Sequence, residues 1–514
     1  MSWHIQILTV SLVGLILLKG CDKAPKYVKP TLQTSAGASD VMPVNFKETD
    51  NWKFARPKDD VIRGKWWEMF GDQQLNALEE QVNISNQNIA LADANFRAAR
   101  ALVKEARSQY FPLVTTAPNM TISQQSGRLG RSAFSSQGVF KNYSVPFSAS
   151  WEPDLWRRVR NTVSANTFQA QATAGDLENV RLTVQSELAF DYFEVRSLDA
   201  QKHLLDSTVA AFEKALELTQ VLYQSGIDSD EDVSLAEVQL ETAEAQATDI
   251  LILRAQLEHA IALLAGQPAS TFSIPFEPLK SEPPAIPLGL PSQLLERRPD
   301  IAAAERRVAS ANAQIGVARA AFFPSLTLSG TAGFESTLLS SLFTWPAHFY
   351  SVGPTLAQTI FDKGNRAAIT EQDRATYDGT VATYRQTVLT AFQEVEDNLA
   401  ALRLLSRELE QQNAAVKSSA RTLSLATDRY KDGIDSYLNV ITAQTALLTN
   451  QRTALTLRMD QMTASVQLIT ALGGGWNASQ LPTPKALITK SQPTPTPNTL
   501  VTKSQPTPTP TPSP

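Results

Sequence analysis

Residues 155–222 form a run of 68 positions with no proline and a single glycine, Gly175. Read as one continuous helix, that run is ~100 Å long. Ordinary globular domains do not enclose a helix of that length, so the chain has to build something elongated. The run ends at Leu222-Tyr223-Gln224-Ser225-Gly226-Ile227-Asp228-Ser229, and a second stretch of the same kind reads Arg429-Tyr430-Lys431-Asp432-Gly433-Ile434-Asp435-Ser436. Each is the pattern of a helix stopped by a left-handed glycine and restarted by an Asp or Ser N-cap. The spacing predicts two tight helical hairpins, with tips at about 223–232 and 430–439.

The two glycines are 207 positions apart, and the same offset relates Val233 to Val440, Ala236 to Ala443, Leu240 to Leu447 and Gly266 to Gly473. Nearer the start of each half, Asn88-Ile89-Ala90 and Phe111-Pro112 match Asp300-Ile301-Ala302 and Phe323-Pro324 at an offset of 212. Two landmarks in the same order indicate an internal duplication, with repeats over 65–284 and 285–476.

Between the landmarks the apolar period changes from helical to two. Tyr143, Val145, Phe147, Ala149 and Trp151 alternate with Ser144, Pro146, Ser148 and Ser150; Leu326, Leu328, Gly330, Ala332 and Phe334 alternate with Ser325, Thr327, Ser329 and Thr331. These are strands with one apolar and one hydroxyl-lined face. Strands are expected at about 112–124 and 141–152 in the first repeat, and at about 324–335 and 347–361 in the second. Each is long enough to cross a bilayer as a tilted strand. Four strands cannot close a barrel, and open edges are not tolerated in lipid. If these strands span a membrane, several chains must pool them, and three chains supply twelve.

The ends differ from the middle. Residues 5–18 are an apolar run in front of Lys19-Gly20-Cys21, which reads as an export signal over 1–20; Leu18-Lys19-Gly20-Cys21 resembles the bacterial lipobox, which implies Cys21 as the lipidation site, the alternative being a plain secretory signal. An extended arm follows over 21–64. Residues 477–514 are rich in Pro and Thr, with Lys490-Ser491-Gln492-Pro493 repeated as Lys503-Ser504-Gln505-Pro506, and are expected to be a disordered tail.

The net charge of −5 is mild, and no basic patch suggests nucleic acid. Cys21 is the only cysteine, and His4, His203, His259 and His348 are scattered, so no metal site is expected. No Gly-rich phosphate loop or nucleophile elbow is present, so neither a cofactor nor an enzyme activity is expected.

Five segments carry a resemblance. They are Trp66-Trp67 with Phe70-Gly71-Asp72 and Leu75; Arg298-Pro299-Asp300-Ile301-Ala302-Ala303-Ala304-Glu305; Phe323-Pro324-Ser325-Leu326; Arg429-Tyr430 with Gly433-Ile434-Asp435-Ser436-Tyr437-Leu438; and Ala471-Leu472-Gly473-Gly474-Gly475-Trp476. Together they resemble the outer membrane factors, the outer-membrane lipoprotein channels of tripartite efflux pumps of the resistance–nodulation–division type. The resemblance implies a mainly α fold with a small β part. A homotrimer would combine a twelve-stranded barrel in outer-membrane lipid with a long helical barrel through the periplasm. It also implies partners: a periplasmic membrane-fusion adaptor and, through it or at the tip, an inner-membrane pump.

Under that resemblance the hairpin tips, with Tyr223, Gly226, Ile227, Tyr430, Gly433 and Ile434, dock the adaptor and close the pore at rest. Family members narrow the second hairpin with an apolar and an acidic ring. Leu438 fits the apolar position, whereas the acidic position holds Thr442. Charge at the constriction is instead expected from Asp228, Asp230, Glu231, Asp232 and Asp435. The function that the resemblance implies is passive export of drugs, metals or other small toxic compounds. The alternatives are a conduit for type I secretion or another pump class, and a lipid-tethered periplasmic coiled coil without a pore.

Overall fold

The computed structural model describes residues 25–31, 46–48, 64–124, 139–286 and 294–489. The export signal, Cys21 and the tail from 490 onward lie outside the described residues.

Long helices and short strands alternate along the described part of the chain. Helices α1 (Gln73–Ser85) and α2 (Gln87–Ser108) lead into strands β1 (Leu113–Thr116), β2 (Asn119–Gln124) and β3 (Val139–Trp151). The long helix α3 (Arg158–Gln224) follows and returns as α4 (Asp230–Leu264). The second half repeats the order: α5 (Pro299–Ala320), β4 (Ser325–Ser336), β5 (His348–Ala357), α6 (Asn365–Lys431) and α7 (Tyr437–Ala471), with a last turn α8 (Pro484–Ile488). Helices α3 and α6 each contain 67 residues and begin 207 positions apart; α4 and α7 each contain 35, again 207 apart. Helices α2 and α5 each contain 22 and begin 212 positions apart. The ends of β2 and β4, Gln124 and Ser336, still differ by 212. The change of offset therefore falls inside the strand hairpins.

Helix identity follows from local chemistry. Asp72 caps α1 by accepting from the backbone N–H groups of Gln74 and Leu75, and Asn86 caps α2 through Asn88 and Ile89. Pro299 opens α5 at the first turn, where its missing N–H costs nothing. The main core forms a waist where α1, α3, α6 and α7 meet, around Trp66, Leu75, Leu188, Tyr192, Phe193, Leu399, Met462 and Leu468. Toward the tip the packing thins to smaller clusters, as expected of a wall rather than a globule.

Strands β1 and β2 lie along β3 in one register, from Leu113 opposite Ser150 to Gln124 opposite Val139. The strand expected at about 112–124 is therefore split at Ala117-Pro118, because proline has no N–H for the ladder. The sheet continues through β4 to β5, all antiparallel. Strand β5 ends at Ala357, short of the expected 361.

The expectation of a disordered tail from 477 is corrected for its first part. Ala478–Gln480 is a 3₁₀ turn, and α8 is seated by Leu487, which is fully buried beside Ala99, Val103 and Ala170. Thr483 caps α8 and Pro484 occupies its first turn, so proline starts this helix rather than preventing it. The described pieces of the N-terminal arm are also docked. Phe46 joins the main core, and the Lys47 and Glu48 backbone N–H groups donate to Glu396 at 2.6 and 2.9 Å.

The segment joining the halves is strapped to the waist by buried charge. Asp199 accepts from Arg254 Nε at 2.6 Å, Arg196 Nη1 at 3.2 Å and the Glu277 backbone N–H at 2.9 Å. Arg196 also donates to the Pro275 carbonyl at 2.7 Å, and Arg254 to that of Ile274 at 2.8 Å. Two arginines shared between one carboxylate and a run of carbonyls satisfy groups that would be costly if left bare.

Candidate functional site

The tip is built from two matching turns. At the first, the Ile227 N–H donates to the Leu222 carbonyl and Gly226 N–H to that of Tyr223, both at 2.9 Å. At the second, Ile434 donates to Arg429 and Gly433 to Tyr430, again both at 2.9 Å. Gly226 and Gly433 have φ of 76° and 71°, with open space where a side chain would sit. Glycine is needed there for its backbone, not for room.

Away from the glycines the two turns differ. Ser229 and Asp232 form a reciprocal capping box at the start of α4. Ser436 makes no side-chain cap; instead Asp435 accepts from Arg429 Nε at 3.1 Å and from Asn439 Nδ2 at 2.5 Å. Tyr430 is buried against Tyr437, with ring centroids 5.2 Å apart, and its hydroxyl donates to Asp228 on the other hairpin. The Thr219 hydroxyl lies 3.3 Å from the Tyr430 hydroxyl oxygen. Burial first, and then the bond to Asp228, raises the Tyr430 hydroxyl above the ordinary phenol range; burial pushes Tyr437 up to about 12, with Asp232 adding to it. Both rings are therefore neutral at physiological pH, and Tyr430 stays a donor.

The expected site residues thus separate by their surroundings. Asp228, Asp232 and Asp435 are engaged within the protomer, while Asp230 and Glu231 are exposed on the first turn of α4. Tyr223, Ile227, Ile434 and Leu438 present apolar surface to solvent. The Thr442 hydroxyl is turned back to the Leu438 carbonyl at 2.9 Å. Arg429 and Tyr437 lie in the stretches quoted from the sequence but were not singled out as site residues, and Thr219 was not noticed at all. The seven-residue spacing of Tyr430 and Tyr437 across a glycine turn was the available signal.

At the opposite end, register sorts the sheet into two faces. Val114, Ala149, Gly330 and Val352 align across the strands, as do Phe147, Ala332 and Tyr350, and Trp151, Leu328 and Pro354. The other face aligns Thr115, Ser148, Thr331 and Ser351, with Ser148 and Thr331 hydroxyls 3.3 Å apart. Strands β1, β2 and β5 have no pairing partner on their outer sides among the described residues. Among those residues no helix is long and apolar enough to cross a membrane.

A sheet with one apolar face, one hydroxyl face and two open edges, continued by helices of ~100 Å, matches known proteins. The sequence profile of the family described as "Outer membrane efflux protein" matches residues 78–267 and 290–474. The chain belongs to the outer membrane efflux protein family. The toluene efflux pump outer membrane protein TtgF of Pseudomonas putida is 32% identical over 475 residues, which cover 92% of this chain and 98% of the relative. The solvent efflux pump outer membrane protein SrpC of Pseudomonas putida is 31% identical over 492 residues, covering 92% and 99%. The solved outer-membrane channel OprN superposes with a TM-score of 0.80 at 27% identity, covering 89% of this chain and all of that one.

Family membership places the sheet in the outer membrane and the helices in the periplasm. The motif residues of the outer membrane efflux protein then acquire positions. Arg298 joins the start of α5 to α6 and α7, donating to Asp300, to Glu394 at 2.5 Å and to the Ala471 carbonyl at 3.2 Å. Phe323 stacks on Trp156 at 4.9 Å, and Trp156 Nε1 donates to the Pro324 carbonyl at 2.6 Å. Both motifs therefore fix junctions between elements.

Proposed function

We propose that three copies of this chain form the exit duct of a tripartite efflux pump. Their sheets close into one twelve-stranded barrel around a hydroxyl-lined lumen, and their helices form a periplasmic tunnel. The observation that carries this reading is the pair of unpaired sheet edges beside a continuous apolar face. Unpaired strands in lipid are costly, and pairing with neighbouring copies removes the cost.

The tip is the gate and the docking surface. Tyr430 and Asp228 tie the two hairpins of a protomer together, so opening the tip has to displace or carry that contact. Exposed Asp230 and Glu231, three copies of each, supply negative potential at the entrance and favour cations there. Ile227, Ile434, Tyr223 and Leu438 offer apolar anchors for the helical hairpins of an adaptor. The named roles of TtgF and SrpC support small apolar organic toxicants as cargo.

Cys21 anchors each protomer by acylation, and Cys21→Ser abolishes labelling by a palmitate analogue. The direct test of the duct is co-purification: tagged channel brings down its adaptor and pump, and the pair Gly226→Pro and Gly433→Pro loses them. Retention of both partners by that variant contradicts docking at the tips.

A further inference from the structure

The loop joining β4 to β5 lies at the end of the sheet farthest from the helices, since β4 enters from α5 and β5 leaves toward α6. Residues 337–347 contain no charged side chain. Leu338, Leu339, Phe343 and Trp345 are exposed by 63, 64, 72 and 77%. Water-facing loops rarely hold four large apolar side chains in so short a run, and such a patch marks an interaction surface.

Two contacts say which way this loop leans. The Phe343 ring meets Phe334 edge-on at 5.7 Å, and the Trp345 ring stacks on His348 at 4.4 Å. Phe334 and His348 are register partners, and they lie on the same face as Phe147 and Leu328, the apolar face. The loop thus folds back over the lipid-facing side of the sheet and away from the hydroxyl face.

About half of its backbone N–H groups are satisfied within the loop. The Leu338 N–H donates to Ser336 Oγ at 3.1 Å, Ser341 and Thr344 N–H groups to the Leu338 and Ser341 carbonyls at 3.2 Å, and Ala347 N–H to Thr344 at 3.0 Å. Thr344 Oγ1 also donates to Ser341 at 2.6 Å, and His348 Nδ1 donates to the Trp345 carbonyl. Two short 3₁₀ turns, Leu339–Ser341 and Trp345–Ala347, therefore lower the cost of leaving water.

We propose that residues 337–347 are a membrane-surface anchor: the loop lies in the headgroup–acyl boundary of the outer leaflet, with Phe343 and Trp345 inserted, and does not arch over the channel mouth. Trp345, an aromatic ring with a polar edge, is of the kind that prefers that boundary, and Phe343 adds apolar area beside it. The loop extends the apolar face of the sheet outward, Phe334 to Phe343 and His348 to Trp345, so the occupant is the same lipid that covers the sheet. The inference rests on the sheet crossing the outer membrane.

The test uses the full-length channel in vesicles of phosphatidylcholine and lipopolysaccharide. Trp345→Cys and, separately, Phe343→Cys are labelled with an environment-sensitive fluorophore, with Leu328→Cys and Thr331→Cys as references. Nitroxide carried near the lipid headgroup should quench the labels at 345 and 343 and leave 331 bright, while aqueous iodide should quench 331 and spare 345 and 343. Labels at 345 and 343 quenched by iodide and indifferent to lipid nitroxide, with 328 still quenched by nitroxide carried deep in the chains, overturn the anchor alone. An unquenched label at 328 overturns the membrane sheet and the anchor together.

Discussion

Tyr430 and its counterpart Tyr223 occupy matching places in two matching turns, yet Tyr430 is buried and bonded to Asp228 while Tyr223 is 46% exposed. A hydrogen bond to a carboxylate contributes about 1.5–3 kcal/mol, and three copies of the contact act together in the proposed trimer. Tyr430→Phe keeps the ring packing and removes only the donor. The expected outcome is a larger resting conductance in planar bilayers, with Tyr223→Phe unchanged; equal currents in both variants would sink the latch. Which tyrosine turned inward was not legible from the repeat, because both stretches read alike. What distinguishes them is Asp228, which meets Tyr430 only after the two hairpins are laid side by side.

Glu79 lies on the buried side of α1. Its carboxyl is fully buried with neither oxygen hydrogen-bonded, and burial raises its pKa well above the ordinary carboxylate range. The folded chain therefore holds this proton more tightly than the unfolded chain. Stability from it is fully present below the unfolded pKa and is lost as pH rises toward the folded value, by about 1.4 kcal/mol per unit of separation. Glu79→Gln removes the dependence, so it should melt higher than the parent at pH 8 and close to it at pH 4, measured by circular dichroism. A difference that grows toward acid contradicts the assignment.

At the scale of elements, alternation and glycine punctuation were the readable signals. The helix lengths, the hairpin tips and the strand faces all follow from them, because each depends on neighbours in sequence. Elements that depend on distant partners were not readable. Proline density hid α8, whose one apolar anchor, Leu487, needs Ala99, Val103 and Ala170 to be seen. Likewise Asp199 looks like one more helix-surface acid until Arg254 and the joining segment are packed on it. Phe147 is on the apolar face and Ser148 on the other, so Phe147→Arg should lower assembly in detergent-resistant electrophoresis by about 2–4 kcal/mol per chain. Ser148→Arg should leave assembly in place. Equal losses count against a membrane barrel.

For the whole molecule, the central claim is that a single face of this sheet, contributed by several chains, lines a water-filled pore. The most direct measurement is current through reconstituted channels carrying one cysteine at a time along β4, before and after a membrane-impermeant, bulky anionic thiol reagent. The parent channel, whose only cysteine is Cys21, provides the baseline. A period of two is expected: reagent reduces the current through Thr327→Cys, Ser329→Cys and Thr331→Cys, and leaves Leu326→Cys, Leu328→Cys and Ala332→Cys unchanged. Block at the apolar positions, or no alternation along the strand, would contradict it.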